Sequence, residues 1–313
     1  MSSSSAVAER RRARARAIAA LAAVATFAPG AARADSPSGF ALARFEPAPR
    51  GSRLFVLDTL DLGGHLRPAV GATVDWAYKP LVAAGADGAE RFALVRHQVL
   101  VRPSASIVLF HRLRVAADVP FAAFQDGEPA DAGGRSLGAA DKPAMADARL
   151  AIDARLFGSP RGPLTVGVGA RAWAPTGVRE QFTGDGTFRA ALHASAFGRA
   201  GIAFWAARAG VALRPRSDTY ADARLGSAVE GALAAGVALA GDRVILAPEL
   251  AGATRLGRGA FGRRETPAEL LVGARVALTP SVWAGAAVGP GIGEGLGSPR
   301  VRSRRASRSR ATA

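Results

Sequence analysis

LRPAVGATVDWAYK, residues 66–79, alternates without a break. Leu66, Pro68, Val70, Ala72, Val74, Trp76 and Tyr78 fall on one face, and Arg67, Ala69, Gly71, Thr73, Asp75, Ala77 and Lys79 on the other. A strand sends successive side chains to opposite faces, whereas a helix would group apolar residues three and four apart. One face here is apolar and ends in two aromatics; the other is small or charged. That is the pattern of a barrel wall with lipid outside and a polar interior.

The pattern returns along the chain. Leu113–Phe121, Ala148–Leu156 and Trp205–Leu213 repeat it clearly, and weaker versions occupy 92–107, 164–174, 188–196, 228–239, 244–254, 268–278 and 282–291. Eleven strands are therefore readable, most near the ~9–11 residues that a tilted membrane-spanning strand needs. Ala228–Ala240 is alanine-rich, but Gly231 and Gly236 argue against a helix. Short links at Phe110–Arg112, Gly158–Gly162, Phe197–Ala200, Ala240–Arg243 and Thr279–Ser281 alternate with longer polar ones at 80–91, 125–147, 175–187, 215–227 and 255–267. Periplasmic turns and extracellular loops alternate in this way in outer-membrane barrels. The fold class expected is all-β, an antiparallel up-and-down transmembrane β-barrel over residues 65–299.

Phase assigns a face to the charges. Arg67, Asp75, Lys79, Arg114, Asp118, Arg149, Asp153, Arg155, Arg171, Arg208, Glu230, Glu249, Glu269 and Arg275 are expected to face the lumen, and His97 and His193 with them. Both signs are present, so the interior can be plugged by pairing or left as a channel with mild anion preference. Trp76, Tyr78, Trp173, Trp205 and Trp283 lie at strand ends and are expected to form aromatic girdles at the two membrane interfaces.

The chain's net charge is +16, but its ends carry much of it. Residues 1–34 hold six Arg and one Glu, and 300–313 hold six Arg, leaving 29 basic against 24 acidic residues between them. A nucleic-acid binder would concentrate charge on its folded domain, so no nucleic-acid partner is expected. Residues 1–34 have the order of a secretory signal: Arg10 to Arg16, the apolar run Ala17–Ala28, then Ala32-Arg33-Ala34 before a cut between Ala34 and Asp35. Export by the general secretory route to the bacterial outer membrane is the expected destination. Residues 35–64 form a leader, expected on the periplasmic side, whose apolar run Leu54–Leu57 is a candidate for a missing strand.

No catalytic, cofactor or metal site is expected. Cysteine is absent, which removes disulfides and thiolate chemistry. The four histidines show no HExxH spacing, and Ser104, Ser106 and Ser195 lack a nucleophile elbow. Gly184-Asp185-Gly186 reads as a tight turn at a loop tip.

Gly64–Leu81 (GHLRPAVGATVDWAYKPL), the corner Ala174–Gly177 with Phe182–Gly186 (FTGDG), and Pro248–Leu250 resemble the N-terminal barrel of OmpA-family outer-membrane proteins, over roughly residues 40–300. The resemblance implies about twelve strands, a structural anchoring role, and a following domain that binds peptidoglycan, which has no counterpart in this sequence. It also implies outer-membrane lipid, lipopolysaccharide, the barrel-assembly machinery and periplasmic chaperones as partners. Residues 300–313 break the alternation and read as a basic, low-complexity, disordered tail, as if a shifted frame had truncated a family member.

Overall fold

The computed structural model describes residues 39–43, 46–84, 90–132, 135–220, 223–257, 260–262, 266–292 and 298–310. The signal sequence 1–34 and its junction Ala34/Asp35 lie outside the described residues.

Twelve antiparallel strands close into a barrel. They are β1 Arg67–Ala84, β2 Glu90–Leu109, β3 in two pieces (Leu113–Asp118 and Phe121–Asp126), β4 Ala148–Phe157, β5 Thr165–Ala174 and β6 Arg189–Ala200. Then follow β7 Ala203–Leu213, β8 Ala228–Leu239, β9 Val244–Arg255, β10 Ala268–Ala277, β11 Val282–Gly289 and β12 Val301–Arg310. Each pairs with its neighbours in sequence, and β1 pairs with both β2 and β12. Closure leaves no row of unpaired backbone groups facing lipid, where each would cost several kcal/mol.

The tight turns all lie at one end, the turn end. Phe110 and His111 both take positive φ there (53° and 58°) in the three-residue link Phe110–Arg112, where the Arg112 N–H donates back to the Leu109 carbonyl (3.1 Å). The β6–β7 turn is Gly201-Ile202, so β6 continues through Phe197–Ala200, where the sequence suggested a link. At the loop end, β1 and β2 extend well into 80–91, also read as a link. Outward positions such as Val70, Leu150, Leu192, Leu233, Val272 and Val288 are exposed and form the apolar belt.

Two expectations fail here. Residues 301–310 are not a disordered tail but the twelfth strand, with Ala306 opposite Thr73 on β1 and Gly285 on β11. Their inward residues Arg302, Arg304 and Ala306 are buried, and Arg302 bridges Asp75 (3.0 Å) and Glu269 (3.0 Å). The closing strand is thus held by charge pairing inside the barrel, not by apolar residues outside it.

The leader is not on the periplasmic side either. Its described residues lie in the barrel interior: Phe40 and Leu42 at the loop end, Leu54–Leu57, Leu60 and Leu62 nearer the turn end, all buried. Nor does Leu54–Leu57 supply a strand. A four-residue apolar run exposed to water would lose roughly 1.5–3 kcal/mol per side chain relative to burial, and the lumen gives it cover.

Candidate functional site: the occupied lumen

The inner wall is built to receive the leader. Around Leu54–Leu60 the inward positions are small, including Ala206, Ala232, Ala234, Ala247 and Ala287, which join the leader in one apolar cluster with Phe197, Phe204 and Trp283. Gly273 and Gly285 carry this furthest: a Cβ at either would meet the Phe55 ring at 2.7 Å or 3.1 Å.

Polar contacts fix the leader's height. The Glu249 carboxylate accepts hydrogen bonds from three successive backbone N–H groups, Phe55 (2.6 Å), Val56 (2.8 Å) and Leu57 (2.9 Å). Arg208 Nη1 donates to the Val56 carbonyl (3.0 Å), and the Arg275 guanidinium lies 4.3 Å from the centre of the Phe55 ring. Among the described residues, neither arginine has a carboxylate in ion-pair range.

Arg114 joins leader to wall. It pairs with Asp58 of the leader and with Asp153 on β4 (Nη2–Oδ2 2.8 Å), and Asp153 also meets His193 Nε2 (3.1 Å). Higher up, Arg102 Nη1 holds Glu46 at 2.6 Å, and Arg149 Nη2 donates to the Pro47 carbonyl (3.0 Å) and binds Asp118. Glu46 is buried between the Arg102 and Arg149 guanidinium groups, with Arg149 Nη1 at 3.8 Å. Ser106 Oγ donates to the Arg50 carbonyl (2.8 Å).

At the loop end Phe40 packs edge-on against Phe182 and Tyr220. Asp185 is no simple turn residue: it accepts from the Ala41 N–H (3.2 Å) and pairs with Arg189 (2.8 Å) and Arg214 (3.0 Å). Burial pushes the Tyr220 phenol up to about 12.

The remaining charges read from phase lie as follows. Asp75, Glu269 and Arg275 are buried inside, and Arg171 pairs with Glu230. Arg67 reaches Asp61 (3.5 Å), Lys79 reaches Glu90 (2.5 Å), and Arg155 donates to the His111 carbonyl (2.7 Å) at the turn end.

The aromatic assignment needs correction. Trp76, Tyr78 and Trp205 face outward, and His97, expected in the lumen, stacks on Trp76 outside (5.8 Å). Trp173 and Trp283 are buried inside instead, because they share phase with Arg171 and Ala287. Arg171 and Arg189 lie over the Trp173 ring, and Arg53 over Trp283. Of the leader residues that meet the wall, Phe55 lies in the apolar run read from the sequence, whereas Glu46, Arg50 and Asp58 stand in no pattern of their own; the surplus of inward arginine over inward acid is the signal for the two acids.

Solved structures share this architecture. An outer membrane channel from Pseudomonas putida F1 superposes with a TM-score of 0.60 at 13% identity, over 79% of this chain and 96% of that one. The chain has the fold of an outer-membrane β-barrel protein. The NanC porin is also similar, with a TM-score of 0.49 at 8% identity over 79% of this chain and 100% of that one. No protein-family model matches the sequence, and no curated protein matches it.

Proposed function

We propose that the protein is an outer-membrane channel for small anionic solutes, reached after export and signal cleavage, and closed in this state by the described leader residues 39–43 and 46–62. The carrying observation is an inner wall with more cations than acids, in which Arg102, Arg114, Arg208 and Arg275 are met by the leader, while Arg149, Arg171, Arg302 and Arg304 pair with wall carboxylates. Inward Arg102, Arg114, Arg149, Arg171, Arg208, Arg275, Arg302 and Arg304 outnumber Asp75, Asp118, Asp153, Glu230, Glu249 and Glu269. The leader supplies Glu46 and Asp58 to this set, together with a carbonyl for Arg208 and a ring for Arg275. Taking the leader out leaves a passage with surplus guanidinium groups, and a one-sided charge lining selects the opposite ion.

The test is a planar-bilayer comparison of the full chain with a chain lacking residues 39–62, in a KCl gradient. The shortened chain should conduct with a reversal potential of the sign set by chloride, and the full chain should be quiet. A cation-selective shortened barrel, or one that never conducts, overturns the reading.

A structural anchor of OmpA type is the second reading. What favours it is the completeness of the filling: Leu54, Val56 and Leu57 are each 1% exposed, so a permanently closed barrel is physically consistent. Under that reading both chains stay silent, while loss of the protein weakens attachment of the envelope.

A further inference from the structure

Between the leader and the wall at the turn end lies a cavity of about 380 Å³. Its floor is apolar: Phe197 and Phe204 stack at 5.9 Å, and Ile245 and Ala238 continue the surface. Its rim carries three guanidinium groups, Arg53, Arg161 and Arg199, around one shared carboxylate, Asp242. Arg199 Nη2 takes Asp242 Oδ1 at 2.6 Å, so Arg53 is left with a 3.6 Å contact to Oδ2 and a ring contact to Trp283. A guanidinium has five N–H donors, and these two contacts leave most of those on Arg53 uncommitted. Thr59 adds an independent sign. It lines the same cavity, is 6% exposed, and its hydroxyl has no hydrogen-bond partner. The other acid on the rim, Asp61, is already engaged by Arg67.

We infer that this cavity binds a small amphipathic carboxylate, its acid group on Arg53 and the Thr59 hydroxyl and its apolar body on Phe197, Phe204 and Ile245. The volume falls within the range of small-molecule pockets, which combine apolar lining with a few placed polar groups. A guanidinium fork matches the two oxygens of a carboxylate, and a neutral ligand of the same shape would leave it unmatched. Half of the site belongs to the leader (Arg53, Thr59) and half to the wall, so an occupied site ties the two together. The inference deepens the channel reading by naming a solute class and rests on that reading only for the solute's passage; binding is measured on the closed, full chain.

The probe is benzoate, titrated calorimetrically into the full chain in a non-ionic detergent, with benzyl alcohol and acetate as partners lacking the charge or the ring. Saturable benzoate binding is expected, with benzyl alcohol weaker by roughly tenfold or more, the loss that follows from one charge-assisted contact, and acetate weaker because it buries no ring. Arg53→Gln should weaken benzoate by a similar factor, and Asp242→Asn, which removes the competing carboxylate, should tighten it. Phe204→Ala should weaken benzoate without changing acetate. Retained folding of each variant is checked by its mobility shift between unheated and heated gels. Equal binding of benzoate and benzyl alcohol, unchanged binding in Arg53→Gln, or no saturable heat in the wild type overturns the inference. A silent shortened barrel would remove the channel reading and leave a positive titration standing, so the two failures are distinguishable.

Discussion

Glu249→Gln is the substitution that isolates the hold of the wall on the leader. The carboxylate is 1% exposed and accepts from three backbone donors, one on Oε1 and two on Oε2. Gln keeps one acceptor oxygen and replaces the other with an amide NH₂, which turns a donor toward one or two of the N–H groups. Hydrogen bonds to a charged partner contribute about 1.5–3 kcal/mol each, and a buried donor left alone costs about 1–3 kcal/mol. Losing the charge and orphaning at least one donor should therefore loosen the leader by about 3 kcal/mol. That raises the population of any leader-released state by roughly 150-fold. The assay is backbone hydrogen exchange followed by mass spectrometry. Peptides covering Leu54–Asp58 should exchange roughly 150-fold faster in the variant, while those from β8 and β9 keep the wild-type rate. Unchanged exchange over Leu54–Asp58 in a folded variant would refute the reasoning, as would equal acceleration everywhere.

Three further outcomes follow from the wall. Asp75→Asn removes the carboxylate that Arg302 (3.0 Å) and Arg304 (2.8 Å) share at the closing seam. Breaking a buried pair costs about 3–5 kcal/mol, so the variant should unfold at lower urea; an unchanged midpoint counts against closure by charge. Arg305 faces outward on β12 between Val74 and Ala286, where a cation in lipid costs up to about 2–4 kcal/mol. Arg305→Leu should raise the urea midpoint, and a lower midpoint would place that face elsewhere. Asp242, in the turn between β8 and β9, is held below the usual aspartate range by its hydrogen bond from Arg199, with Arg53 adding to it. A lowered carboxyl contributes above its unfolded value and is lost as pH falls through its folded one. The effect of Asp242→Asn on benzoate binding should thus be constant from about pH 5 to 8, where benzoate also stays ionised; fading near neutrality contradicts it.

The wall was legible because its alternation has period two and its turns and loops alternate in length. The twelfth strand was not, since Ser303, Arg305 and Ser307 occupy the positions where lipid-facing apolar residues would announce a strand. Its partners Asp75 and Glu269 were assigned to the lumen, but which distant cation meets them is decided by closure, not by local pattern. Trp173 and Trp283 lie at strand ends as girdle residues do, but phase, not position along the strand, decides which side they face. The leader's apolar run shows that it must be covered, and says nothing of what covers it. That information sits two hundred residues away in the inward alanines of β8 and β9 and in Gly273 and Gly285, where the absence of side-chain volume is the signal.

The central claim is that the described residues of the leader, 39–43 and 46–62, fill the barrel, and the chain's lack of cysteine makes it directly testable. A single Val56→Cys would be labelled with a small, membrane-impermeant thiol reagent in isolated outer membranes opened on both faces, alongside Gly201→Cys in an exposed turn. Val56 is 1% exposed, so its cysteine should resist the reagent while the turn cysteine reacts at once, and adding Glu249→Gln should release it. Labelling of Val56→Cys as fast as the turn would contradict the account and put the leader outside the barrel.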